Sequence, residues 1–117
     1  MILFENTREV EKFALIIMQG LFSQINKGLI SIENAEHVFF TPHTILELEK
    51  LDVDQSIIEL IHLGTELEDL EDFNISVKEE TDKFLAQTEQ LLINYQDIEF
   101  TEKILTDLNI MKKNTDA

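Results

Sequence analysis

The chain has 117 residues, a length within the usual range of one domain, and carries 24 acidic against nine basic side chains. Its net charge of -15 argues against direct binding to nucleic acid or an anionic membrane, and predicts a neutral or basic protein partner. The absence of cysteine excludes disulfides, zinc–thiolate sites and thiol nucleophiles. With only three glycines and one proline, the composition favours long helices over a turn-rich sandwich or barrel.

The first predicted helix begins at Asn6 or Thr7, either of which can cap free backbone N–H groups. Apolar residues cover almost its whole circumference, which predicts a central position in the fold. Gly28 ends it, because glycine readily takes the left-handed conformation found after a helix. The apolar run from Phe13 to Met18 is much shorter than the ~20 residues that span a bilayer, and the start of the sequence lacks a basic leader. We therefore expect a cytoplasmic protein.

Two short helices follow. Ser31 is the predicted N-cap of the second helix, which Pro42 stops. Thr41 and Pro42 then start the third helix, since proline at the first helical position loses no helical hydrogen bond.

Asp54 caps a fourth helix, in which apolar residues at helical spacing continue to Leu70. This pattern predicts one amphipathic helix that ends near Asp72 or Phe73. Gly64 lies inside it at a cost of about 1 kcal/mol relative to alanine, which a close helix crossing would offset.

The fifth helix starts at Ser76, which forms a capping-box pattern with Glu79, and it continues to Tyr95. We expect the fourth and fifth helices to form a long hairpin joined near Asn74. Residues 97–100 fit either a strand or coil. A last amphipathic helix is predicted from 101 to 113, with four apolar side chains inward: Ile104, Leu105, Leu108 and Met111. The whole chain, 1–117, is thus predicted to be one all-α domain, a compact bundle of about five or six helices.

The densest local charge lies at the end of the fourth helix. Its candidate partner-binding residues are five acids and one aromatic residue: Glu66, Glu68, Asp69, Glu71, Asp72 and Phe73. At the C-terminal end of the fourth helix these acids lie near the negative end of its dipole, at a cost of roughly 0.3–1 kcal/mol each. One interpretation is a solvated face that keeps the protein soluble. The other is a docking surface for a basic partner, with Phe73 as an apolar anchor.

Glu59 and His62 are the one local match to a metal motif, because Glu-x-x-His on a helix forms half of a di-iron carboxylate site. Glu66 extends the same face by one turn. The sequence has no second Glu-x-x-His, however, so these three residues are weak metal candidates. It also lacks a nucleophile elbow or glycine-rich phosphate loop, so we expect no catalytic residue and no cofactor.

Two segments carry a resemblance to a known family, Lys27-Gly-Leu-Ile-Ser-Ile-Glu-Asn-Ala-Glu36 and Ile61-His-Leu-Gly-Thr-Glu-Leu-Glu-Asp-Leu70. They resemble small acidic bacterial proteins catalogued as a domain of unknown function, and the similarity covers most of the chain. That family has no assigned activity, so the resemblance implies only a bacterial, cytoplasmic, stand-alone domain.

The favoured hypothesis is a non-enzymatic protein that binds and neutralises a basic partner, as immunity proteins and antitoxins do. Two alternatives remain open. One is a metal-dependent helical enzyme using Glu59, His62 and Glu66. The other is a self-associating structural protein, a homodimer whose interface is formed by the apolar surface of the first helix.

Overall fold

The computed structural model describes residues 6–101, and within this range it contains six α-helices and no strand. The helices are α1 Thr7–Asn26, α2 Ile32–Val38, α3 Pro42–Lys50, α4 Gln55–Thr65, α5 Leu67–Asp72 and α6 Val77–Ile93. The predicted all-α class is therefore confirmed. The helix predicted from 101 to 113 lies outside the described residues, apart from Thr101, which is not helical.

Five helices begin at a polar side chain that satisfies a free backbone N–H group. The side chains of Asn6, Ser31, Thr41, Asp54 and Ser76 each accept a hydrogen bond from a backbone N–H two or three residues further on. These bonds replace helical partners that the first turn lacks. The predicted starts of these five helices are confirmed.

The longest helix, α1, packs mainly along α6 and also contacts α4 and α2. Leu15, Met18 and Phe22 of α1 are fully buried. The ring of Phe22 stacks on Phe40 at 4.9 Å between centroids and lies 5.2 Å from the ring of Phe84 in α6. This aromatic cluster joins α1, α6 and the loop after α2.

The single helix predicted from Asp54 to Asp72 is two helices, so this expectation is wrong. The chain breaks at Glu66, whose backbone N–H donates to Leu63 O at 3.2 Å, a tighter pattern than the α-helical one. One residue earlier, the Thr65 hydroxyl donates to His62 O at 2.6 Å. Such a bond from threonine back to the preceding turn bends helices. The predicted long hairpin is consequently interrupted, and α6 packs mainly along α1.

Gly64 permits a close approach, but to a side chain and not to a second helix backbone. A Cβ atom added to Gly64 would overlap the ring of Phe40. The glycine in α4 therefore makes room for the aromatic cluster.

Candidate functional site

The five acids at 66–72 and Phe73 form one exposed surface, here called the acidic surface. All six residues are exposed, whereas Leu67 is fully buried and Leu70 is half-buried. The apolar side of α5 thus faces the core and its acids face solvent. This is the orientation that the spacing of the two leucines predicts.

The break at Glu66 changes the electrostatics of this surface. Glu68 and Asp69 lie in the first turn of α5, where the free N–H groups of a helix favour negative charge. Their place in a first turn reduces the repulsion that is expected for acids at the end of a continuous helix. Only Glu71 and Asp72 lie at the C-terminal end of α5.

Phe73 is the most exposed large apolar residue within 6–101, with 76% of its surface accessible. It is held there by a Schellman motif at the end of α5. Asn74 takes a left-handed conformation, with φ 59°, and its N–H donates to Glu71 O at 3.1 Å. The N–H of Ile75 donates to Leu70 O at 2.9 Å. These bonds fix the backbone around Phe73, whose exposed side chain directly follows two exposed acids in the sequence, Glu71 and Asp72.

The charge of the acidic surface is not balanced by bases in the described part of the chain. None of its five carboxylates forms an ion pair there. Glu68 instead faces Glu36 of α2, and the pKa of Glu36 is raised by burial and then by the charge and the hydrogen bond of Glu68. The negative potential of this surface is therefore available to a partner.

The weak metal candidates do not assemble into a site. Glu59, His62 and Glu66 are all exposed, and residues 6–101 contain no group of three or more His, Asp or Glu side chains placed to hold a metal ion. The second Glu-x-x-His helix that the motif requires is not supplied from elsewhere in this range.

Two buried carboxylates of α1 are functional candidates that the sequence reading missed. Glu11 is 5% exposed and accepts hydrogen bonds from the N–H of Asp54 at 2.7 Å and the hydroxyl of Tyr95 at 2.8 Å. Glu9 is 1% exposed and accepts from the N–H of Thr101 at 3.2 Å. One signal was available: a single tyrosine in a chain with eight phenylalanines suggests a specific partner for its hydroxyl.

These carboxylates belong to a network that fastens residues 94–101, here called the strap, to α1. The guanidinium of Arg8 lies 4.3 Å from the ring centroid of Tyr95, and Lys12 Nζ donates to Ile98 O at 2.6 Å. The strap is irregular after the turn at 94–97, so residues 98–100 are coil and not strand. The carboxylates of Glu9 and Glu11 thus tie the strap to α1.

An apolar groove of about 270 Å³ lies between α1, α2 and α3. Seven residues line it: Val10, Phe13, Ala14, Ile17, Val38, Phe39 and Leu48. No helix within the described residues is long and apolar enough to cross a membrane.

The fold and these surfaces define a small, acidic, all-helical domain. The chain belongs to the family described as "Protein of unknown function (DUF3969)", whose model matches residues 5–107. The predicted membership of an uncharacterised family is therefore confirmed. A search of curated proteins finds no match, and a search of solved structures finds none either.

Proposed function

We propose that this protein is a non-enzymatic binding domain that docks a basic protein on the acidic surface. The observation that carries the proposal is the 76% exposure of Phe73 next to acids that form no ion pair within 6–101. An aromatic ring in water is unfavourable for an isolated domain, and burying such a ring is a common source of binding energy at interfaces.

The acids and the ring would act at different stages of binding. Unpaired carboxylates attract a positively charged partner over a range of about 10 Å at 0.1 M salt, which raises the association rate. Phe73 would then enter a pocket on the partner and slow dissociation. The Schellman motif favours this step because the backbone that carries the ring is already fixed, so less ordering remains to be done on binding.

The kind of partner follows from the negative charge and the small size of this domain. A small acidic domain suits neutralisation of a basic toxin or nuclease, as an immunity protein or antitoxin does, and this would take place in the bacterial cytoplasm. The basic surface of such a partner would be covered while bound, and its own substrate would be excluded by competition for the same charges.

A capture experiment tests this with variants matched in charge. The test variant changes the five acids of the acidic surface to amides. The control variant changes five exposed acids that form no ion pair within 6–101: Glu49, Asp52, Glu89, Asp97 and Glu99. Both variants have the same net charge. We expect a basic protein from native lysate to be retained by the wild type and the control but not by the test variant.

Binding constants measured with the isolated partner separate the contribution of the five acids from that of Phe73. Phe73→Ala should weaken binding by about tenfold or more, through faster dissociation. Leu46→Ala, at a position that is 58% exposed on α3, should leave it unchanged. Affinity that is independent of ionic strength, or equal losses in the test and control variants, would refute docking on the acidic surface.

A further inference from the structure

Another groove lies beside the acidic surface, where the end of α1 meets α2, α5 and the start of α6. It has a volume of about 460 Å³ and is here called the α2–α5 groove. Its apolar lining consists of four buried or half-buried side chains: Ile25, Ile30, Ile32 and Val77. Three carboxylates also line it, Glu33 from α2 and Glu68 and Glu71 from α5. The groove thus combines an apolar lining with negative charge.

The negative charge of this groove is not balanced within the described residues. Its lining contains one basic side chain there, Lys78, whose Nζ lies 3.6 Å from Asp82 Oδ2 on the same helix. The three carboxylates of the lining form no ion pair within 6–101. Glu68 in addition faces Glu36 of α2. A cation bound in the groove would therefore offset a repulsion that already exists.

The backbone around the groove is held in place and does not reverse this preference for a cation. Asn26 Nδ2, at the end of α1, donates to Lys78 O at 3.1 Å and to Asp82 Oδ1 at 2.8 Å, which fixes the start of α6. The starts of α2 and α6 favour an anion, but Ser31 and Ser76 each accept from one of their free N–H groups. A helix start carries only about half a positive charge, so the three carboxylates dominate.

We propose that the α2–α5 groove binds an arginine side chain of the basic partner, with its aliphatic stem on the apolar lining and its guanidinium at the carboxylates. This inference rests on the proposed function and names the group that the partner presents. Arginine fits better than lysine, because a planar guanidinium can pair with two carboxylate oxygens at once. It is also more weakly hydrated than an ammonium group, which suits a partly apolar groove.

The groove extends the docking surface beyond α5. Glu71 lines the groove and lies two residues before Phe73, so a partner on α5 can reach both the ring and the groove. Leu29 lies between two lining residues of the loop after α1 and is 69% exposed. Ile75, in the loop before α6, is 42% exposed. These side chains supply apolar area that a bound partner would cover.

An NMR titration of the full-length protein tests the groove without the partner, using N-acetyl-arginine amide as the probe. We expect saturable shifts of backbone amide signals in residues 28–33, 68–71 and 77–78. N-acetyl-lysine amide should bind about threefold more weakly. N-acetyl-citrulline amide, which keeps the shape of arginine without its charge, should give no saturable shift. Lysine binding as tightly as arginine, or shifts absent from 28–33 and 77–78, would overturn the proposal.

Two double variants of equal net charge separate the groove from the overall charge of the protein. Glu33→Gln combined with Glu71→Gln removes two carboxylates of the lining and should weaken probe binding by about fivefold. Glu49→Gln combined with Glu89→Gln removes two exposed acids that do not line the groove and should leave probe binding unchanged. Equal weakening in both variants would mean that the probe follows net charge alone. Circular dichroism verifies that both variants remain folded.

The isolated partner distinguishes a failure of this inference from a failure of the proposed function. Glu33 lies outside the acidic surface, so Glu33→Gln should weaken partner binding by a few fold only if the groove is used. A partner that needs the five acids of the acidic surface but binds Glu33→Gln like the wild type refutes the groove and leaves the proposed function standing. If the probe occupies the groove but no basic protein is retained, the proposed function fails, and the assignment of the arginine to a partner fails with it.

Discussion

The hydroxyl of Tyr95 donates a hydrogen bond to Glu11 Oε1 at 2.8 Å, between side chains that are 4% and 5% exposed. The same carboxylate accepts from the N–H of Asp54 at 2.7 Å, the residue that caps α4. One buried group of α1 therefore joins the start of α4 to the strap. Since hydrogen bonds to charged groups are stronger than neutral ones, this link helps to hold the strap in place.

Tyr95→Phe should destabilise the fold by roughly 1.5–3 kcal/mol, because it removes the hydroxyl that donates to the buried Glu11 Oε1 while keeping the ring. That oxygen then keeps only its ion pair with Arg8, at 3.7 Å. Urea denaturation measures this loss of stability as a lower midpoint concentration of urea, with an unchanged dependence of the unfolding free energy on urea concentration. A double-mutant cycle with Glu11→Gln isolates the pairwise contribution. A Tyr95→Phe variant as stable as the wild type would show that the hydroxyl bond contributes nothing.

Tyr95 should also ionise at an unusually high pH in the folded protein. Burial, followed by the hydrogen bond and charge of Glu11, raises the pKa of its phenol far above the ordinary value of about 10. A raised pKa means that the folded state favours the protonated form. This contribution to stability is complete below pH ~10 and is lost as pH rises towards the folded pKa.

The absorbance of tyrosinate reports this group alone, since the chain has one tyrosine and no tryptophan. We expect little ionisation in the native protein at pH 11 and ordinary ionisation near pH 10 in denaturant. Native and denatured curves that coincide would contradict the buried arrangement.

Two glycines of the helices provide a matched test of the aromatic cluster. Gly64→Ala should destabilise by about 1–3 kcal/mol, since the added methyl group overlaps the Phe40 ring, which is 2% exposed and stacked on Phe22. Gly20→Ala should stabilise by about 0.5–1 kcal/mol, because it improves helix propensity in open space. Thermal unfolding should give a lower midpoint for Gly64→Ala and a higher midpoint for Gly20→Ala. If both midpoints rise, helix propensity alone decides the effect of each substitution.

Local chemistry made the helix starts predictable from the sequence. The N-caps Asn6, Ser31, Thr41, Asp54 and Ser76 each act within three residues of their own position. The exposure of the acidic surface was predictable for the same reason, since the spacing of Leu67 and Leu70 fixes the side of α5 that faces the core.

The features that the sequence did not predict depend on distant residues or on a side chain that competes for a helical backbone carbonyl. Glu9 and Glu11 resemble ordinary acids near a helix start, and their burial is decided by partners 92 and 84 residues away. The break at Glu66 involves a threonine hydroxyl that competes for a backbone carbonyl, which apolar spacing does not register. Gly64 was recognised as a position of close approach, but the ring that approaches it comes from the loop after α2.

The facing carboxylates of Glu36 and Glu68 supply the last prediction. The pKa of Glu36 is raised by burial and then by Glu68, so its folded form binds a proton more readily than its unfolded form. The stabilising effect of that proton is lost as pH rises through the raised pKa. Glu68→Gln removes the repulsion and offers Glu36 an amide donor, so the pKa of Glu36 should fall towards its ordinary value.

Because both side chains are partly in water, the gain in stability at neutral pH should be only a few tenths of a kcal/mol. Carbon-13 NMR of the side-chain carboxyl groups measures the pKa, and urea denaturation between pH 4 and pH 7 measures the stability. Glu71→Gln is the matched control, since it removes one exposed charge from the same helix without touching the pair. If both variants shift the Glu36 titration equally, the cause is the overall charge of α5, and direct contact between Glu36 and Glu68 is refuted.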